Sequence, residues 1–353
     1  MSQQYSSKKH LFVINPRSFL NFREINRVIS EIVRCFDGPS GATRIPDGDV
    51  PPDLPDIYSA ASPYAIHISR FPRDAIIVIR KYMAFAGKET PVRVYAIGGD
   101  GVVFCCLNGI AGLPNAELAV VPYGTGSVFV QSFGGKELIP LMRNIAELVN
   151  APVIPADIID CGSIYALNSC AVGLEAMALL RSYPMLTAFW KLRRRSIAVT
   201  EAIFRIAGLM VTFDKEIMGQ HYRLRMDDEE IEGPMSFIHV ANNPGYPINK
   251  SVIPEAMPDD GLLDVVAYRT SSLTKALRLT PFYLKGLHGK FPNDYIYRKV
   301  RTVSLSSNRL LCISLDGEVF FDTSFSIRVM PRAVRIVSVG GITFKNSGTN
   351  HAG

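Results

Sequence analysis

The 353-residue sequence has no apolar run long enough to span a bilayer. It also lacks a signal-peptide apolar core, since Met1 to Lys9 is polar, so neither secretion nor membrane insertion is expected. Cysteine is sparse. Cys35, Cys105, Cys106, Cys161, Cys170 and Cys312 are scattered through apolar stretches without the paired spacing of a zinc site. They read as reduced core thiols rather than disulfides, and the expected compartment is the cytoplasm. Internal repeats, low-complexity tracts and any nucleic-acid recognition motif are missing too, so nucleic acid is not an expected partner. Nor is charge of one sign in great excess. The formal net charge of +6 favours anionic partners such as nucleotide or phospholipid without requiring either. What is present, 48% hydrophobic and 20% charged residues, marks a globular chain, and its length allows two cores.

The most informative segments are two glycine loops, Gly98-Gly99-Asp100-Gly101 and Pro122-Tyr123-Gly124-Thr125-Gly126, each just after a short apolar run. Val92 to Ile97 and Leu118 to Val121 read as buried strands, so each loop falls at a strand's carboxyl end, where open α/β sheets bind ligands. Glycine lets successive backbone N–H groups converge on an anion with no Cβ in the way, which suggests phosphate. A strand-to-helix turn uses glycine for purely steric reasons as well, but two such loops, one with a carboxylate and one with a hydroxyl, are harder to assign to sterics alone.

The first half alternates strand and helix. His10 to Ile14 is the first strand, ending in the polar turn Asn15-Pro16-Arg17-Ser18. Ile25, Val28, Ile29, Ile32, Val33 and Phe36 fall at the spacing of one buried helical face, and Ala65 to Ile68 is the next strand. Asp37 to Pro63, crowded with Pro, Gly and Asp, reads as a surface loop or disordered insertion. Asp74 to Phe85, Val102 to Ala111 and Lys136 to Val149 give further helical patterns, so a largely parallel sheet is expected over residues 1–151. Beyond Pro152 short strand-like runs dominate: Ile158 to Cys161, Tyr165 to Ser169, Tyr222 to Met226, Phe237 to Ala241, Leu263 to Tyr268, Val303 to Ser306, Leu311 to Leu315 and Ser326 to Met330. They predict an antiparallel β-sandwich domain over 152–345 with helices near Ala176 to Ile206 and Ser272 to Gly286. Its last strand could return to the first domain.

Taken in order, Asn15-Pro16-Arg17-Ser18, the two glycine loops, Asn168 with Gly173, Pro254-Glu255-Ala256, Asp259-Asp260-Gly261-Leu262 and Asp316-Gly317-Glu318 resemble the diacylglycerol kinase catalytic superfamily over nearly the whole chain. That superfamily includes bacterial soluble lipid kinases and sphingosine kinases. The resemblance implies an α/β nucleotide-binding domain, a C-terminal β-sandwich, an ATP cleft between them, and Mg²⁺-assisted phosphoryl transfer to a hydroxyl of diacylglycerol or a related lipid. Carried over by position, Gly98, Gly99, Asp100, Gly101 and Gly124 would wrap the nucleotide phosphates. Thr125 would donate a hydroxyl to them, with Asn15 and Ser69 close by. Asp316 matches the general base, with Glu318 its acidic neighbour; an alcohol attacking a phosphoryl group needs somewhere to send its proton. Unaided, Asp316-Gly317-Glu318 is an ordinary hairpin turn. Asp259-Asp260-Gly261-Leu262 is likewise a turn signal, but in the resembling bacterial kinases it holds a structural Mg²⁺, matching here the Asp260 carboxylate and the Met257 and Leu262 carbonyls.

The departures from the pattern matter as much. Val102 and Cys105 stand where the family has Thr and Glu, Ser127-Val128 replaces Asn-Asp, and Phe19 replaces a Gly. Gly245-Tyr246-Pro247-Ile248-Asn249 also stands where a Gly-rich segment is expected. Neither Val nor Cys offers a hard oxygen ligand, so handling of Mg²⁺ and ATP is expected to be weakened. A divergent lipid kinase is the first reading and a catalytically impaired nucleotide- or lipid-binding regulator the second. An NAD-kinase-like enzyme would share the Gly98 loop but leaves Asp260 and Asp316-Gly317-Glu318 unexplained. Phe189-Trp190-Lys191-Leu192-Arg193-Arg194-Arg195 suits the headgroup region of an anionic bilayer, and suits a solvated basic helix face as well. The partners expected are therefore a hydroxyl-bearing lipid and the surface of an anionic membrane, with a homodimer left open.

Overall fold

The computed structural model of the chain describes residues 8–19, 21–38, 62–124, 127–189, 192, 196–214, 216–246, 250–270 and 272–345. The chain divides into two compact units. Unit 1 comprises Met1–Ser127, Gly135–Ala156 and Ala333–Thr343; unit 2 comprises Val128–Gly134, Asp157–Arg332 and Phe344–Gly353.

In unit 1, β1 (Lys9–Ile14), β2 (Tyr64–Ile68), β3 (Val92–Gly98) and β4 (Ala116–Pro122) lie parallel in the order β4-β3-β1-β2. Their apolar residues are nearly all buried, as strands covered on both faces require. Helices α1 (Phe22–Asp37), α2 (Asp74–Ala86) and α3 (Asp100–Ile110) alternate with them. Asn21 caps α1 by accepting from the Glu24 N–H at 3.1 Å. The 3.6-residue stripe Ile25, Val28, Ile29, Ile32, Val33 and Phe36 then joins Phe12, Ile14, Tyr95 and Ile97 in one core cluster.

The helical pattern expected over Lys136 to Val149 is broken. A 3₁₀ turn at Lys136–Leu138 is followed by α4 (Ile139–Met142) and α5 (Ile145–Asn150). Asn144 causes the break: its side chain accepts from the Glu147 N–H and starts a new helix instead of continuing the old one. Arg93, 2% exposed, ties α5 to the sheet. Its guanidinium pairs with Glu117 at 2.7 Å and donates to the carbonyls of Leu148, Val149 and Ala151, which the end of the helix leaves without intrahelical partners. Residues Ala333–Thr343 also belong to this unit, with Ile336 paired in parallel to Leu118.

The chain enters unit 2 within β5 (Val153–Asp160), which forms a hairpin with β6 (Tyr165–Ala166). The other strands are β7 (Ser169–Gly173), β8 (Gln220–Met226), β9 (Glu229–Met235), β10 (Phe237–Ala241), β11 (Gly245–Tyr246), β12 (Lys250–Ser251), β13 (Leu263–Tyr268), β14 (Tyr295–Val300), β15 (Thr302–Leu315) and β16 (Glu318–Val337). Strands β14-β13-β10-β7-β15-β16 follow one another antiparallel, and β8 pairs with both β15 and β9. Two runs read separately, Val303 to Ser306 and Leu311 to Leu315, are one strand interrupted by a register shift. The helical stretch near Ala176 to Ile206 resolves into α6 (Leu174–Ala188) and α7 (Ile197–Thr212), and α8 (Leu273–Tyr283) completes the unit. Among the described residues, no helix is long and apolar enough to cross a membrane.

Candidate functional site

In unit 1 the predicted nucleotide residues gather along one edge of the sheet, because all four strands end there. β3 and β4 are in register to their last residues, Gly98 opposite Pro122, and Ile14 of β1 lies level with Ile97 and Ile68. Asn15 and Ser69 follow directly: the Asn15 N–H donates to Ile97 O at 3.0 Å and the Ser69 N–H to Ile14 O at 2.9 Å. Asp74 fixes the loop carrying Ser69 by accepting from the Arg70 N–H at 2.6 Å.

The two glycine loops touch each other. The N–H groups of Tyr123 and Gly124 both donate to Gly98 O, and a Cβ added to Gly124 would lie 2.5 Å from the Gly99 Cα, closer than any side chain allows. A Cβ on Gly98 would meet the Ser18 Oγ and the Val102 side chain. Glycine at these positions is thus imposed by the approach of three chain segments. Gly101 differs, since a Cβ there would meet nothing within 4 Å. It sits in the first turn of α3, behind Asp100, and the N-cap of that helix is Gly99, which has no side chain to cap it. An uncapped N-terminus beside a close pair of loops, open in front of Gly101, offers backbone donors and a favourable dipole to an anion. Thr125, with Gly126, lies outside the described residues.

Val102 and Phe19 both have packing roles beside these loops. Val102 is 3% exposed and packs toward Gly98, so it fills space instead of presenting a hydroxyl. Phe19 is buried and packs tilted against Tyr123, ring centroids 4.6 Å apart, while Arg143 covers the Tyr123 ring at 4.3 Å and donates to Pro122 O at 2.6 Å. Phe19 therefore supports the second loop from behind.

In unit 2, Asp316 and Gly317 form a two-residue hairpin between paired Leu315 and Glu318, with φ of 48° and 91°. Positive φ at both positions is the primed turn that Asp-Gly favours. The plain turn reading thus holds, yet the Asp316 side chain does more than turn the chain. Its carboxylate accepts from three consecutive N–H groups: Leu167 at 2.6 Å, Asn168 at 2.8 Å and Ser169 at 2.9 Å. Asn168 Oδ1 in turn accepts from Asn243 Nδ2 at 2.6 Å, and Asn243 Oδ1 accepts from the Gly245 N–H at 2.8 Å. On the other side, the Tyr183 hydroxyl of α6 donates to Gly317 O at 2.5 Å. Burial, then the charge of Glu318, pushes that phenol up to about 12, so it remains a donor at neutral pH. Sequence reasoning singled out neither Asn243 nor Tyr183. Asn242-Asn243-Pro244-Gly245 after an apolar strand was a readable turn signal for the first; a lone tyrosine on a helix gave none for the second.

The third predicted group, at Asp260, is arranged differently from a cation site. Asp260 Oδ1 accepts from the Leu262 N–H at 3.0 Å, and Oδ2 is 2.8 Å from the Lys299 ammonium. With both oxygens engaged and an ammonium beside them, the residues present do not suit a divalent ion at this turn. Near the glycine loops the donor set is more favourable. Asp100 contributes one hard carboxylate there, while Val102 and Cys105 add no oxygen. Among the described residues, no group of three or more His, Cys, Asp or Glu is placed to hold a metal. Trp190, Lys191 and Arg193 to Arg195 of the basic aromatic segment, and residues 39–61 of the insertion, lie outside the described residues.

Comparison with known proteins identifies the family and the fold. Residues 56–161 match the diacylglycerol kinase catalytic domain, and residues 198–338 match the YegS C-terminal NAD kinase beta sandwich-like domain. A diacylglycerol kinase of Mycobacterium tuberculosis is 26% identical over 267 residues, 73% of this chain and 80% of that protein. One from Staphylococcus saprophyticus is 25% identical over 232 residues, 63% of this chain and 69% of its own length. The crystal structure of a diacylglycerol kinase from Bacillus anthracis superposes with a TM-score of 0.61 over 95% of this chain and 98% of that one, at 18% identity, which shows a common fold. The chain belongs to the diacylglycerol kinase catalytic-domain superfamily, a family of lipid kinases.

Proposed function

We propose that this protein transfers the γ-phosphoryl group of ATP to a hydroxyl of diacylglycerol or a related lipid. The observation that carries the reading is the meeting of the Gly98 and Gly124 loops at an uncapped helix start, with open space in front of Gly101. Backbone donors there would hold the phosphates without the barrier a Cβ presents. Asn15 and Ser69, at the ends of the adjacent strands, would orient the nucleotide. Asp100 would hold a divalent cation on the phosphates, and that cation would supply charge neutralisation during transfer. Asp316 would accept the proton of the attacking hydroxyl. The three backbone N–H groups that fix its carboxylate keep it from rotating away. Glu318 adds negative charge beside it, and Tyr183 restrains the turn that carries both. Lipid access would be peripheral. Ile206, Leu209 and Met210 expose a helically spaced apolar face on α7, continued by Phe213, in support of contact with an anionic membrane surface.

A second reading, a nucleotide- or lipid-binding regulator with impaired catalysis, is favoured by one observation: Val102 is buried against Gly98 and offers no oxygen where a hydroxyl would assist phosphate. Incubation with γ-labelled ATP, Mg²⁺ and a panel of lipids, followed by separation of the extracted products, tests the two. Labelled lipid supports the kinase. ATP bound in the same preparation with no labelled lipid from any acceptor supports the regulator.

A further inference from the structure

The acidic turn Asp259-Asp260-Gly261-Leu262 carries its own cation. Lys299 lies on β14 directly opposite Asp264 of β13, so register alone brings an ammonium next to a carboxylate. Its Nζ is 3.0 Å from Asp264 Oδ2, 2.8 Å from Asp260 Oδ2 and 3.2 Å from the Glu255 carbonyl. Three donors thus meet three acceptors. The second oxygen of each carboxylate is occupied as well, Asp264 Oδ1 by the Tyr297 hydroxyl at 2.6 Å and Asp260 Oδ1 by the Leu262 N–H. Asp157 holds the turn from below by accepting from the Gly261 N–H at 2.6 Å and the Arg332 N–H at 2.7 Å.

Distances and charge both argue against a divalent ion in addition. Mg²⁺ needs oxygens at about 2.1 Å and Ca²⁺ at about 2.4 Å, whereas these separations are those of N–H···O bonds. A second cation would also face the ammonium at close range. The Asp264 side chain is fully buried and that of Lys299 one-third exposed, so this pair is shielded far better than a surface ion pair. Burial works against the Lys299 charge, but the two carboxylates outweigh it and hold its pKa above the ordinary lysine value. We infer that the Lys299 ammonium takes the place of a structural metal ion in this turn, and that the folded state of the protein needs no divalent cation. Any dependence of activity on Mg²⁺ would then belong to phosphoryl transfer alone.

Thermal melting without nucleotide tests the inference independently of any catalytic claim. The wild-type melting temperature should be the same in EDTA, in millimolar Mg²⁺ and in millimolar Ca²⁺. Lys299→Met, which leaves the buried Asp264 without its cation, should melt on the order of 10 °C lower and recover part of that loss on addition of Mg²⁺ or Ca²⁺. Lys299→Arg keeps the charge and should remain insensitive to chelator, so the idea stays testable if the Met variant does not fold. A wild-type melting temperature that falls in EDTA and returns with Mg²⁺ would overturn it, as would a Lys299→Met protein that melts like the wild type.

Discussion

Asp316 Oδ1 lies 2.8 Å from the backbone nitrogen of Asn168, although the two residues are 148 positions apart in sequence. That bond is the middle one of three, and the Asn168 side chain passes the connection on to Asn243 and Gly245. A turn that local chemistry would form by itself is thereby fixed to β7 and β11 by a buried polar chain.

Asn243→Ala tests that chain. It strips a partner from Asn168 Oδ1 and another from the Gly245 N–H, and a buried group left unpaired costs about 1–3 kcal/mol. Urea denaturation should show a stability loss of at least that size. Asn243→Asp should lose stability too, because it replaces the amide donor by a second acceptor facing Asn168 Oδ1.

Two glycines on neighbouring segments should behave in opposite ways. Gly124→Ala places a Cβ 2.5 Å from the Gly99 Cα and should lower both the melting temperature and ATP affinity, since the loops must part. Gly101→Ala meets no protein atom and removes a flexible residue from a helix, so stability should hold or rise by up to about 1 kcal/mol. Calorimetry on Gly101→Ala should nevertheless show ATP affinity down by roughly tenfold or more, about 1.4 kcal/mol, because the added methyl occupies the space proposed for phosphate.

Phe19 offers a test of the loop's support. Phe19→Ala removes a buried ring from Tyr123 and should cost about 3–5 kcal/mol. Phe19→Gly, which removes the ring and adds backbone freedom, should be no milder. A loss below about 1 kcal/mol in denaturant melts would show that this ring contact does not hold the loop.

His10 sets a pH dependence for unit 1. Burial, followed by the charges of Arg93 and Lys8, lowers its pKa to about 3, and its Nδ1 is 2.8 Å from the Tyr95 hydroxyl. The unfolded chain takes up this proton below about pH 6.5 and the folded one does not, so the contribution is present above that pH and lost as pH falls toward 3. At pH 5 the loss attributable to this residue is about 2 kcal/mol. His10→Gln should flatten the stability profile between pH 7 and 4; an unchanged acid limb would assign it to other groups.

The fold class was readable because both periodicities were clean. The α1 stripe and the apolar runs of β1, β3 and β4 needed no tertiary information, and they placed the glycine loops at the carboxyl ends of β3 and β4. What was not readable depended on partners far along the chain. β9, with three glutamates in seven residues, is a strand because β8 and its arginines pair with it. Lys299 gave no signal of its own and acquires meaning only by lying opposite Asp264. The Asp316 turn was legible as a turn, whereas its three backbone donors were set by the return of β15 alongside β7. Lys136 to Val149 failed for a local reason, since an asparagine inside a helical pattern can cap a new helix as well as interrupt an old one.

Asp316→Asn, measured beside the wild type for phosphate transfer from ATP to diacylglycerol and for ATP affinity, tests the central claim most directly. The amide keeps the shape but turns an NH₂ toward donors that need an acceptor, so some stability is lost, and melting curves must show both proteins folded at the assay temperature. The account predicts measurable wild-type transfer, a fall of roughly two to four decades in turnover for the variant, and ATP affinity within about threefold. Wild-type turnover that Asp316→Asn leaves unchanged would contradict it.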